Sequence, residues 1–237
     1  MLVERVILEV DKLKIVGVLH RIQEQNAPII VTCHGMLSTK DSEKYLEIAD
    51  ILTKNGINVL RFDFRGCGES EGNFANSTVT ARLRDLEAVL QYVHSMFEDV
   101  GLLGSSLGGT ISILAASKFK FIKALVTWAA PIFLKEILNP LRGVIPEGFI
   151  KDLENVDITG AAKEVSHILV IHGDRDEIVP VRDAHVLFNL AKEPKELKII
   201  RGGDHRFTDP ELRKKALNES LRWFKPVSYT HLTLPTN

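Results

Sequence analysis

The sequence predicts an α/β fold: a mostly parallel, twisted sheet with helices on both faces and a small lid insertion. Three observations point to it. Short apolar runs alternate with stretches of helical spacing along most of the chain. Several of those runs are continuously apolar, as strands buried on both faces require. The chain has 237 residues, which suits one α/β domain with its own core and leaves little room for a second.

Taken in order, Val6–Val10 and Ile15–His20 read as strands, with Asp11 and Lys12 as the hairpin turn between them. Pro28–Cys33 (PIIVTC) is a short buried strand, and Asp41–Lys54 is a helix ended by Asn55-Gly56. Ile57–Phe64 is the next strand. Ser77–Met96 carries Val79, Leu83, Leu86, Val89, Leu90 and Val93 on one helical face, with Ser77 placed to cap it. Val100–Gly104, Ile122–Ala129, His167–His172 and Leu197–Arg201 complete the strands; Leu107–Lys118, Arg182–Ala191 and Pro210–Phe224 complete the helices. No period repeats along the chain.

Pro131–Ser166 interrupts the rhythm with Pro131, Pro140, Pro146, Gly143, Gly148 and Gly160. Long connections in compact domains are usually functional, so this stretch is expected to form a small lid over the carboxyl edge of the sheet. It mixes Lys135, Glu136, Arg142, Glu147, Lys151, Asp152 and Glu154 with apolar residues, the pattern of a solvated cap and not of a broad lipid-binding face. The expected organisation is a single domain over 1–225, with the lid at 131–166, and a non-native or disordered tail over 226–237. The tail PVSYTHLTLPTN breaks the amphipathic pattern of the last helix and resembles translated sequencing-adapter read-through, so Tyr229 and His231 are set aside.

Thirty basic residues face 31 acidic ones without a Lys/Arg block, which argues against a nucleic-acid or anionic-membrane partner. No apolar run approaches the ~18 residues of a membrane span, and the N-terminus lacks the regions of a signal peptide. Cys33 and Cys67 cannot build a disulfide framework. The expectation is a soluble cytoplasmic protein with free thiols.

The chemistry centres on Gly104-Ser105-Ser106-Leu107-Gly108-Gly109, which fits G-x-S-x-G between an apolar strand and an apolar helix. A nucleophile on so sharp a turn needs glycines where side chains would clash, and the helix behind it favours developing negative charge. A serine hydroxyl attacks poorly without a base. His205, in the turn-rich Gly202–Phe207 loop after the last strand, falls at the same sheet edge as Ser106. His172 ends a strand and reads as structural; His34 reads as shaping the loop after PIIVTC; His94 belongs to a helix. A third residue must hold the imidazole and stabilise its cation, and the 172–180 loop supplies Asp174 and Asp176. Leu107, directly after the serine, should give one backbone N–H to an oxyanion. No Cys/His cluster has zinc spacing, so neither metal nor cofactor is implied.

From about Val6 to Phe224 the chain resembles the small α/β-hydrolases, close to bacterial and archaeal carboxylesterases of the cinnamoyl/feruloyl-esterase and serine-aminopeptidase-like group. The motifs that carry the resemblance are CHGM (33–36), RFDFRGCGESEG (61–72), GSSLGG (104–109), HGDRDEIVP (172–180) and GGDHRF (202–207). The resemblance implies a catalytic triad in chain order Ser106, Asp176, His205: in the family's H-G-x-x-D-x-x-V-P pattern the acid is the second aspartate, which leaves Asp174 to shape the turn. It also implies that the second oxyanion N–H is that of Met36, after the His-Gly pair. Cys67 stands where the family often has histidine, outside the triad. The activity implied is hydrolysis of small to medium acyl esters, a small-molecule substrate, through an acyl-enzyme. The same residues would serve a thioesterase, a peptidase or a cofactor-free perhydrolase. A non-catalytic binding protein of this fold would usually lack one of the three residues.

Overall fold

A computed structural model describes residues 1–24, 26–141 and 143–229. Leu2–Val10 (β1) and Leu13–Arg21 (β2) form an antiparallel hairpin. Asp11 and Lys12 turn it with φ of 52° and 66°, the left-handed pair a two-residue hairpin requires. β3 (Ile29–Cys33), β4 (Asn58–Phe62), β5 (Val100–Ser105), β6 (Ile122–Trp128), β7 (Ile168–Gly173) and β8 (Lys195–Ile200) extend the sheet in the order β1-β2-β4-β3-β5-β6-β7-β8. β2 pairs antiparallel with β4, and every pairing from β4 through to β8 is parallel.

Helices cover both faces because the central strands are apolar on both. On one side, α2 (Val79–His94), α3 (Leu107–Lys118), α6 (Ile158–Glu164) and α7 (Arg182–Leu190) pack on residues such as Val31, Val100 and Leu102. On the other, α1 (Glu43–Lys54) and α8 (Pro210–Tyr229) cover Ile30, Val59, Leu103 and Trp128. Each large apolar side chain so buried contributes roughly 1.5–3 kcal/mol relative to exposure. Trp128, fully buried at the end of β6, keeps its indole N–H satisfied by Ser220 Oγ of α8 at 3.0 Å.

Two local expectations need correction. The cap of α2 is Thr78, whose hydroxyl accepts from Ala81 N; the Ser77 hydroxyl instead accepts from Arg82 Nε at 3.0 Å. The last helix does not stop at Phe224 but runs to Tyr229, through Pro226. The tail beyond, 230–237, lies outside the described residues, as does Arg142.

The stretch between β6 and β7 folds into short helices: α4 (Leu134–Leu138), α5 (Glu147–Asp152) and α6, with 3₁₀ turns at Asn139–Leu141 and Leu153–Asn155. α6 lies against α3 on the sheet, so it covers core and not the sheet edge. The segment that reaches the carboxyl edge is the first part, around Pro131 and α4.

Candidate active site

Ser106 sits at the junction of β5 and α3 with φ 54° and ψ −127°, a conformation that costs a non-glycine residue on the order of 1–3 kcal/mol. The turn persists because its surroundings over-determine it. Ser106 N–H donates to Trp128 O at 2.8 Å, and Gly109 N–H donates to Ser106 O at 2.8 Å. A Cβ on Gly108 would lie 2.1 Å from Cys33 O, and one on Gly104 would lie 2.4 Å from Gly108 O. The glycines of the motif are therefore where β3, β5 and α3 touch backbone to backbone.

His205 arrives on the loop between β8 and α8. Phe207, buried edge-on against Trp128 with ring centroids 5.5 Å apart, anchors that loop, and Arg213 Nη1 donates to Phe207 O at 3.3 Å. Asp176 arrives on the loop after β7. The two loops are joined directly: Arg175 N–H donates to Gly203 O at 3.0 Å, and Asp174 accepts from Gly202 N–H. A Cβ on Gly173 would lie 2.1 Å from Gly203 O, so any side chain there would push the loops apart.

The three residues read from the sequence come together. His205 Nε2 lies 3.0 Å from Ser106 Oγ, and His205 Nδ1 lies 2.9 and 3.1 Å from the two Asp176 oxygens. Asp176 Oδ1 also accepts from Ile178 N–H at 2.9 Å and Val179 N–H at 2.7 Å. Burial would raise the Asp176 pKa, but hydrogen bonds from His172, His205 and the Val179 N–H outweigh it and hold the carboxyl well below the usual carboxylate range. The arrangement can hold Nδ1–H toward an ionised acid and leave Nε2 free to accept the serine proton.

Met36 and Leu107 line the same cavity as Ser106. Gly35 lies so close that a Cβ on it would sit 3.3 Å from Ser106 Cβ, which brings the Met36 backbone to the serine. Two buried groups hold this loop. His34 Nδ1 is 2.8 Å from Gly35 O, and its Nε2 accepts from Phe64 N–H at 3.1 Å, which sets the tautomer with the proton on Nδ1. Burial first, then nearby cations, pushes the His34 pKa down to about 3, so it is neutral. Arg82, fully buried, donates to Gly35 O at 3.4 Å, Met36 O at 3.3 Å and Cys67 Sγ at 3.4 Å.

Sequence reasoning missed several of these neighbours. His172 does end a strand, but its Nε2 lies 3.2 Å from Asp176 Oδ2 as well as 2.9 Å from Val179 O, so it also touches the acid. The signal available was the four-residue spacing His172…Asp176 across a tight turn. Lys44, Arg206 and Arg213 line the cavity, of about 420 Å³, together with Pro131, Leu134 and Ile137. Arg206 falls within the GGDHRF motif, but no motif marks Lys44 or Arg213. Asp41, Asp63 and Glu69 converge like a metal site, but Lys40 Nζ lies among them at 2.6, 3.2 and 2.6 Å.

The eight-stranded order, the strained serine at a strand–helix turn and the Ser–His–Asp line at the carboxyl ends of β5, β8 and β7 define an α/β-hydrolase. Residues 24–154, over half the chain, match the model of the serine aminopeptidase (S33) family of hydrolases, and the chain belongs to that family. Among its relatives, the uncharacterized protein YfhR of Salmonella typhimurium is 28% identical over 200 residues, 77% of this chain. The chain spans only 65% of the length of YfhR. Mouse mitochondrial palmitoyl-protein thioesterase ABHD10 is 26% identical over 211 residues, 77% of this chain and 70% of the relative. The ferulic-acid complex of Est1E from Butyrivibrio proteoclasticus superposes with a TM-score of 0.82 at 23% identity, over 94% of this chain and 98% of Est1E. Among the described residues no helix is long and apolar enough to cross a membrane.

Proposed function

We propose that this hydrolase is a serine carboxylic ester hydrolase that works through an acyl-enzyme on small to medium acyl esters. The observation that carries the reading is the continuous line from Ser106 Oγ through His205 to Asp176, with contacts of 3.0 and 2.9 Å. In this reading Ser106 attacks the acyl carbonyl as His205 Nε2 takes its proton. The backbone N–H groups of Met36 and Leu107 hold the oxyanion. His205 then protonates the leaving group, and water, deprotonated by the same histidine, releases the acid. No metal or cofactor has a step in this scheme. Residues 1–225 act as one catalytic domain, with the segment around Pro131 and α4 as the working part of the lid. Two free cysteines, one buried, suit a reducing compartment such as the cytoplasm.

A thioester is the second reading, because one relative, ABHD10, is a palmitoyl-protein thioesterase. Both readings are tested by kcat/KM over a p-nitrophenyl ester series of rising acyl length, run beside the matching acyl-CoA series. Each methylene that enters the apolar side of the cavity adds roughly 0.8 kcal/mol, about fourfold in kcat/KM. The cavity of about 420 Å³ then fills, so the expected profile rises through short and medium chains and falls beyond. A monotonic rise into long chains contradicts the small-acyl reading, and faster turnover of the acyl-CoA esters replaces the ester reading with the thioester one.

A further inference from the structure

The cavity beside Ser106 has two chemically distinct linings. Pro131, Leu134, Ile137 and Leu138 make an apolar side, while α1 and the chain after β8 supply Lys44, Arg206 and Arg213. These cations are not equivalent. Arg213 is neutralised by Glu47, at 2.6 and 2.8 Å, and by Glu43 at 3.2 Å. Lys44 is part-buried and directs Nζ to Ser105 Oγ at 2.7 Å; its ammonium also lies 5.3 Å from the Tyr45 ring centroid and 5.8 Å from that of Trp128. Among the described residues neither Lys44 nor Arg206 forms an ion pair. The nearby carboxylate, Asp204, is occupied by the N–H and hydroxyl of Thr208.

A desolvated ammonium with no counter-ion is unfavourable unless something completes it. Burial, then repulsion by Arg213 and Arg206, lowers the Lys44 pKa to about 8, against a partial opposing pull from Asp204. Glu43 and Glu47 on its own helix are held by Arg213, and burial keeps the Tyr45 phenol neutral. The Ser105 hydroxyl uses one of three ammonium donors, which leaves two for a ligand. Lys44, Ser105 and Ser106 line the same cavity, so a group held at Lys44 places the rest of its molecule near the candidate nucleophile.

We propose that Lys44, aided by the field of Arg206, is an anion-recognition subsite, and that the preferred substrates are esters carrying a free carboxylate. This inference rests on the ester-hydrolase reading of the same site. Its apolar side would take the uncharged part of such a molecule, and Lys44 the charged end.

Two matched pairs test it at pH 7: mono-p-nitrophenyl glutarate against p-nitrophenyl valerate, and 4-acetoxybenzoate against 4-acetoxybenzamide. The first places the carboxylate on the acyl side, the second on the alcohol side. A charge-assisted hydrogen bond predicts a preference of about tenfold or more for the anionic member of one pair. The ratio of the two kcat/KM values should collapse toward one in Lys44→Met and persist in Lys44→Arg. In the wild type it should fall as pH rises through about 8, where the ammonium is lost, and in Lys44→Arg it should not. A ratio near one in both pairs, or a ratio unchanged by Lys44→Met, overturns the subsite. If the neutral esters are still hydrolysed in that case, the ester-hydrolase reading stands without it. If no ester is cleaved at all, that reading fails, and calorimetric binding of glutarate against glutaramide decides the subsite. Tighter binding of glutarate that is lost in Lys44→Met supports it, and equal binding overturns it.

Discussion

Asp176 and Asp174 differ by two positions and by everything that surrounds them. Asp176 accepts from two backbone N–H groups and contacts both His172 and His205, while Asp174 accepts from Gly202 N–H at the rim of the turn. With its pKa held low, Asp176 stays ionised through the neutral range. Its contribution to stability is therefore present above the ordinary carboxylate range, and is lost only as pH falls through its depressed value. Asp176→Asn should lower kcat/KM on the order of 10³-fold or more, because an amide neither stabilises an imidazolium nor selects the right tautomer. Asp174→Asn should cost less than about tenfold, since an amide oxygen can still accept from Gly202 N–H. Steady-state kinetics of the two variants check this, and the reverse ranking removes Asp176 from its role. At this scale Ser106 and His205 could be read from the turns that hold them at strand ends, whereas the loop after β7 left Asp174 and Asp176 open and only the resemblance to the family's pattern pointed to Asp176. Lys44 was not. It occupies an ordinary helical position one residue before the buried Tyr45, and only the packing of α1 beside β5 makes it part of the cavity.

The Gly35–Met36 loop is held in part by α2, a helix that contributes no residue to the cavity. Its first turn carries Arg82 into the core, where one guanidinium holds Ser77 O, Gly35 O and Met36 O. The guanidinium also lies over the Phe64 ring, 5.1 Å from its centroid, a cation–π contact. If Met36 N–H is an oxyanion donor, its aim depends on this clamp. Arg82→Met should lower kcat by on the order of tenfold while KM changes little, because a displaced donor harms the transition state more than substrate binding. Arg82→Lys should recover part of the loss, since an ammonium can still reach one carbonyl. A fall in thermal stability with kcat unchanged would reduce Arg82 to a packing role. The existence of α2 could be read from its apolar spacing, but Arg82 could not. A charged residue in an amphipathic helix is expected to face water, and what draws it inward is a set of carbonyls some 46 residues earlier in the chain. The same limit explains the cap: Ser77 and Thr78 are both competent, and the choice fell to Thr78 because Arg82 engages Ser77.

Across the whole molecule, the alternation of strand and helix was enough to read a mostly parallel sheet, and each strand is found within a few residues of its expected bounds. The order of those strands was not readable, since nothing local says that β3 inserts between β4 and β5. That insertion matters, because it sets the Gly35–Met36 turn beside Ser106 at the carboxyl edge where α/β sheets place their ligands. The connection between β6 and β7 was equally opaque: short helices broken by prolines carry too few periods to show which will face the cavity and which the core. A covalent acyl intermediate on Ser106 can be observed directly. The enzyme would be mixed with excess p-nitrophenyl butyrate, quenched in acid within the pre-steady-state burst, digested, and its peptides analysed by mass spectrometry. One butyryl adduct is expected, on Ser106, with a burst of nitrophenol approaching one per active site and neither signal in Ser106→Ala. An adduct on another residue, or a Ser106→Ala variant that keeps more than about a tenth of the activity, would contradict it.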